Sequence, residues 1–283
     1  MLAVLLALGA SASWGSGDFL AGLTTRRIGS ALVVTVLSEG VAMIVALVVL
    51  FAIRPDWPGT DFLALAAFGG VIEAIAAVAI YRALSFGAMG VVSPIAACSA
   101  IVPVAFGIAM GEALATMAAI GIPIALIGVI AVAWTPGGVG EAEGRLATGV
   151  GLALIAALGF GGFVVVLDEA VARAGVVWAV VVARFTLVAA AGLVALVVRS
   201  SLSRASGHAL PLIAVGFFDL SAVFLIAAAT AEGLLAVVGV LAALYPIVTL
   251  LLARFVLGER LRASQRIGTA IAFVGVAMIA ATA

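Results

Sequence analysis

The sequence predicts an all-α integral membrane protein. Ten transmembrane helices would form two inverted five-helix repeats around a central cavity. Three observations predict it. The 283-residue chain is 66% hydrophobic and only 9% charged, with a mean hydropathy of +1.44. A soluble domain carries about 25% charged residues. The apolar residues fall into ten runs of roughly the 20 residues that a spanning helix needs. Finally, one phrase occurs twice: AMGEALATMAAIG (109–121) returns as VLGERLRASQRIG (256–268).

The runs follow one another with short links. The first five are Leu2–Leu23, Ala31–Ile53, Phe62–Leu84, Met89–Met110 and Leu114–Trp134. The second five are Leu146–Leu167, Val176–Val198, Leu210–Thr230, Leu234–Leu257 and Ser264–Ala281. They are continuous rather than alternating, which favours helices over barrel strands. GASAS (9–13) resembles a cleavage site, but no basic residue precedes it, so the first run is expected to be a span. The longest links, such as TPGGVGEAEGR, cannot hold a soluble domain, so function must lie within the bundle. The expected organisation is a first repeat at 1–137, a linker at 138–145 and a second repeat at 146–283.

The repeat extends beyond the opening phrase. At an offset of 147, Gly111-Glu112 falls on Gly258-Glu259, Gly121 on Gly268 and Gly128 on Gly275. At an offset of 146, Trp14-Gly15 falls on Phe160-Gly161, Gly70 on Gly216, Glu73 on Asp219 and Gly87 on Gly233. Five is odd, so the second copy enters the membrane with opposite polarity, as in many secondary transporters. Gly-Glu would close the hairpin after the fourth helix of each half. Glycine permits the turn, and the glutamate suits a helix start as well as any transport role.

WGSGDF (14–19), LYPIVTLLLARFVLGERL (244–261) and the glycines at 268 and 275 together resemble the drug/metabolite transporter superfamily, EamA type. The resemblance covers the chain. It implies export or exchange of small metabolites, such as amino acids or drug-like compounds, through a cavity between the halves. It also implies both termini inside. The arginines say otherwise. Arg26, Arg27, Arg82, Arg145, Arg199, Arg204, Arg260, Arg262 and Arg266 lie at odd-numbered links, and only Arg54 and Arg173 at even ones. The positive-inside rule then puts the termini outside, so orientation stays open.

Charges within spans are the candidates for chemistry. Such a residue costs about 2.5–3.5 kcal/mol at a helix centre and usually faces the bundle interior. Asp18 lies near the end of the first span, Glu39 within the second, Glu73 within the third, Arg184 within the seventh and Asp219 within the eighth. One reading pairs Arg184 with Glu39 and leaves the other acids lining the cavity. Glu73 and Asp219 would then carry a proton or a substrate's positive end, and Arg184 would hold Glu39 or meet a substrate carboxylate. Four acids against one arginine suit a cation, a zwitterion's amino end or a proton. Trp14 and Tyr245 are cavity candidates. Pro94 and Pro103 in the fourth span, and Pro246 in the ninth, would break helices at the cavity. Tyr81, Trp57, Trp134 and Trp178 read as interfacial anchors. Gly107 and Gly111 form a GxxxG pattern that favours close helix approach, within the fold or at a dimer contact.

Absences also bound the function. The single histidine, His208, and single cysteine, Cys98, allow no clustered metal site and no intrachain disulfide. No Walker motif, cofactor motif or Ser/His/Asp set is present, so an enzyme is not expected. Net charge is zero and no basic run points to nucleic acid. The expected function is a secondary transporter in the cell (inner) membrane. It would act by alternating access on small organic metabolites such as amino acids or amine-bearing compounds, with proton coupling an open addition. It would be a monomer or homodimer in the bilayer. A lipid-handling or channel-like protein, or a structural subunit, is the alternative.

Overall fold

The computed structural model describes residues 1–85, 95–96, 98–133, 143–257 and 263–281. Among these residues all regular structure is helical. Helix α1 (Leu2–Ile28) ends at Gly29, whose φ of 76° lets the chain turn back; Arg26 and Arg27 sit in the last turn, where cations suit the helix C-terminus. Ser30 then caps α2 (Ala31–Ile53) by accepting a hydrogen bond from the Val33 amide at 3.3 Å. Helix α3 (Leu63–Ser85) follows. A 3₁₀ turn (Cys98–Ala100) leads into α4 (Ile101–Ala109), and α5 is Thr116–Ala133.

The expected sixth and seventh spans emerge as one element, α6 (Glu143–Val197). A straight helix of that length would reach roughly 80 Å, far beyond the hydrocarbon core of about 30 Å. It is broken once, at Gly175, with φ 72° and ψ 166°. Positive φ is cheap only for glycine, so one residue serves as the whole connection. After a short 3₁₀ turn come α7 (Ala209–Glu232), α8 (Leu235–Ala242), α9 (Tyr245–Leu257) and α10 (Ala263–Ala280).

Proline acts differently from expectation. The ninth span breaks at Ala243 and Leu244, and Pro246 is the second residue of α9. Pro103 is the third residue of α4, after the 3₁₀ turn. Each therefore starts a helix, where its missing N–H has no partner to lose, rather than kinking one from within. Pro94 lies outside the described residues, as do Gly258, Glu259 and Trp134.

The burial pattern is that of a membrane protein. Phe51, Phe185, Leu196, Leu210 and Phe255 are all exposed, whereas Arg184 is fully buried. Five helical stretches are long and apolar enough to cross a membrane: Ala31–Ile53, Leu63–Ala83, Gly149–Val197, Ala209–Glu232 and Leu235–Val256. Helix α1 is not among them. Its run SASWGSGD is polar, and much of it is shielded by neighbouring helices rather than by lipid. The most extensive packings are α3 on α6, α5 on α10 and α1 on α7. Each joins the first half of the chain to the second, so the core lies between the halves. Glycines permit the closest approaches: Gly70 lies on the Ala183 carbonyl, Gly216 on the Ser38 carbonyl, and Gly121 and Gly275 on each other.

Candidate functional site

Arg184, on the second limb of α6, sits at the centre of the bundle. Its Nη1 donates to Glu39 Oε2 at 2.5 Å and to Asp219 Oδ2 at 2.6 Å, and its Nη2 donates to Glu73 Oε1. Helices α2, α3 and α7 are thus tied to α6 through one side chain. The sequence reading set Arg184 against Glu39 and left Glu73 and Asp219 to the cavity. The structure brings all three acids onto the guanidinium. Arg184 and the side chains of Glu39 and Glu73 have almost no solvent exposure, and that of Asp219 has 15%. Full desolvation makes geometry decisive here, because a buried ion pair is stabilising only when its remaining polar atoms are also satisfied.

A cavity of about 40 Å³ adjoins the cluster. At roughly 10–15 Å³ per water, that is room for a few waters. Trp14, Asp18, Glu39, Glu73, Asp219 and Tyr245 all line it. Arg184 does not. The carboxylates form the wall and the guanidinium stands behind them, so the described lining holds four carboxylates and no basic side chain. Trp14 Nε1 donates to Asp219 Oδ1 at 3.2 Å, which leaves that aspartate held from both sides. Asp18 lies one helical turn beyond Trp14 on α1 and has no hydrogen bond or ion pair among the described residues. Glu73 Oε2 and Tyr245 Oη are likewise buried without a described partner. Pro103 also lines the cavity and packs on Gly239 of α8; Pro246 is buried in the first turn of α9, beside cavity-lining Tyr245.

Two aromatic cavity residues are not among the candidates drawn from the sequence. Tyr81 was read as an interfacial anchor, yet it is 4% exposed and faces the cavity. Glu73, Ala77 and Tyr81 lie four residues apart on one face of α3, and that spacing was the available signal. Phe160 also lines the cavity, and the register that carries Trp14 to Phe160 had already marked it. Trp57 and Trp178 meet edge to face at 4.8 Å, and Trp178 Nε1 donates to the Asp56 carbonyl at 2.9 Å. They tie the link after α2 to the start of the second limb of α6.

The first copy of the repeat hairpin does not line the cavity. Gly111 has φ 89°, as a tight turn requires. Glu112 accepts hydrogen bonds from the Leu235 amide at 2.6 Å and the Ala236 amide at 3.0 Å. It does mark a helix start, but that of α8 in the other half of the chain. Within the fold, the Gly107–Gly111 pattern is correspondingly not a helix–helix seam. Gly107 leaves room for the Glu112 carboxylate, and Gly111 makes the turn.

The acid-walled cavity thus lies among apolar helices from both halves of the chain. Residues 147–281 match the EamA-like transporter family. A solved crystal structure with 20% sequence identity superposes with a TM-score of 0.78, covering 99% of this chain and 96% of that one. At that identity the likeness establishes the fold over the whole chain. Among curated proteins none matches. With five helical stretches long and apolar enough to cross a membrane, the chain is a multi-pass membrane protein whose second half is similar to a transporter family.

Proposed function

We propose that the protein is a ten-crossing secondary transporter of the inner membrane that moves small amine-bearing compounds by alternating access. Two inverted repeats, residues 1–137 and 146–283 joined by a linker at 138–145, would rock about the cavity. The glycine contacts support the repeat. Gly15 lies against the Tyr245 carbonyl and Val248, and Gly161 lies against the Ser99 carbonyl and Val102. The offset of 146 that carries Gly15 to Gly161 also carries Ser99 to Tyr245 and Val102 to Val248.

One observation carries the substrate class: the described cavity wall holds four carboxylates and no basic group. Both terminal nitrogens of Arg184 are engaged, and its Nε, buried without a described partner, belongs to a side chain that does not line the cavity, which leaves a substrate carboxylate no basic counterpart there. An ammonium has an acidic one. Asp18 would meet its charge, with Glu73 Oε2 and the Tyr245 hydroxyl as further hydrogen-bonding groups. A proton could occupy the same carboxylates in exchange. Lining by Trp14, Tyr81 and Phe160 suits the apolar body of an amine and the face-on approach of a cation.

The test is uptake into liposomes with a pH dye trapped inside. Pooled amines, including choline and agmatine, and pooled amino acids would be added to wild type, Asp18→Asn and Glu73→Gln. Saturable uptake of an amine that Asp18→Asn abolishes is the expected result, and a pH change with uptake would add proton coupling. Folded protein that takes up no member of either pool would sink the reading.

A further inference from the structure

Helix α8 is short and detached at both ends. It has eight residues, roughly 12 Å, or under half the hydrocarbon core. Gly233 and Leu234 are extended before it, and Ala243 and Leu244 break the helix after it. Leu234, at its N-cap position, offers no side-chain acceptor. The cap comes from Glu112, 123 residues away in sequence. A carboxylate on two helix-start amides satisfies orphan donors and opposes the positive end of the helix dipole at once.

The far end of the same helix forms the cavity wall, through Gly239, Ala242 and Ala243. Gly239 packs against Pro103 of α4, and Glu112 follows α4 by three residues. Helices α4 and α8 are therefore fastened at two levels, by packing beside the cavity and by the carboxylate at the boundary. Gly107 keeps the space that the carboxylate needs.

We infer that Glu112 is a positioning residue for transport, the closing contact of the end of the bundle that carries few arginines. While Glu112 holds the two amides, α8 stays against α4 and the cavity is shut from that end. Opening there takes the carboxylate off the amides. This rests on the alternating-access reading above, but its test is separate.

The test uses a single-cysteine reporter. In protein with Cys98→Ser, Ala243→Cys places a thiol in the cavity wall, at a position 4% exposed. Ala153→Cys places a second one, in a separate protein, at a fully buried site in the same apolar cluster as Ile28 and Ala31, near the arginine-rich end. Both would be reacted in lipid nanodiscs with a membrane-impermeant maleimide. Glu112→Ala should raise labelling at 243 roughly tenfold, the scale of a lost helix cap. Glu112→Gln, which keeps one acceptor oxygen, should raise it less, and labelling at 153 should not change. Unchanged labelling at 243, or an equal rise at both positions, would reduce Glu112 to a static stabiliser and overturn the inference. Amine and amino-acid uptake separates the two readings. A rise at 243 alone with no uptake by wild type would keep the contact and remove transport. Uptake with unchanged labelling would do the reverse.

Discussion

Carboxylates bind the two halves of the chain together in two regions, by different means. At the centre, Glu39, Glu73 and Asp219 converge on the Arg184 guanidinium, which is itself fully buried. At one end, Glu112 reaches two backbone amides of α8 and is only partly buried. The first contact uses a full charge in a low-dielectric interior, where losing one partner strands the others. The second uses the partial charge of a helix start at the boundary, where water can replace either partner. The centre is built to hold and the end is built to let go.

Breaking the centre should have the largest effect. Arg184→Met leaves two buried carboxylates and the part-buried Asp219 without their cation and should cost about 3–5 kcal/mol. The measurement is the yield of monodisperse protein and its thermal midpoint. If Arg184→Met folded as well as wild type, the centre would be no tighter than the end. Next come the glycines that let the helices reach the centre. Gly216→Ala drives a methyl group into the Ser38 carbonyl. It should cost about 1–3 kcal/mol, read as a lower midpoint in the same assay.

Glu112→Ala should cost less, about 0.5–2 kcal/mol. Thermal unfolding in detergent would place it between the glycines and the surface. Asp18→Asn sharpens the comparison from another side, because Asp18 lines the cavity but fastens nothing among the described residues. Its midpoint should stay within about 0.5 kcal/mol of wild type, as for a substitution that removes no contact, while amine uptake is lost. The smallest effect belongs to Arg173, whose pair with Glu169 at 3.5 Å is solvent-exposed on both sides. Arg173→Ala should change stability by less than about 0.5 kcal/mol.

The sequence showed the membrane class and the central residues because both follow from rules local to one helix. A charge inside an apolar run must face inward, and this led to Glu39, Glu73, Arg184 and Asp219 without any knowledge of packing. How many acids one arginine could gather was not legible, since that depends on where α2, α3 and α7 cross α6. Tyr81 was misread because its nearness to the end of a run suggested the interface, while the face it shares with Glu73 was overlooked. The charged segment DEAVARAG (168–175) marks a link between the sixth and seventh spans, but no spacing rule tells that the helix continues through it and leaves Gly175 as the whole connection. The partner of Glu112 was out of reach for another reason: no spacing rule links a hairpin glutamate to amides 123 residues away.

The paired glycine contacts have a consequence for how the chain tolerates change. Gly15 and Gly161 each meet a carbonyl and a valine at matching places, and Gly70 and Gly216 each meet a carbonyl of the opposite half. A bulky residue at one of these sites cannot be rescued by the intact copy, because each copy seats a different pair of helices. The two halves are therefore not spares for one another. In a deep mutational map the intolerant positions should recur about 146 residues apart, and two segments free to drift in most of their sequence would stay locked in step at their smallest residues.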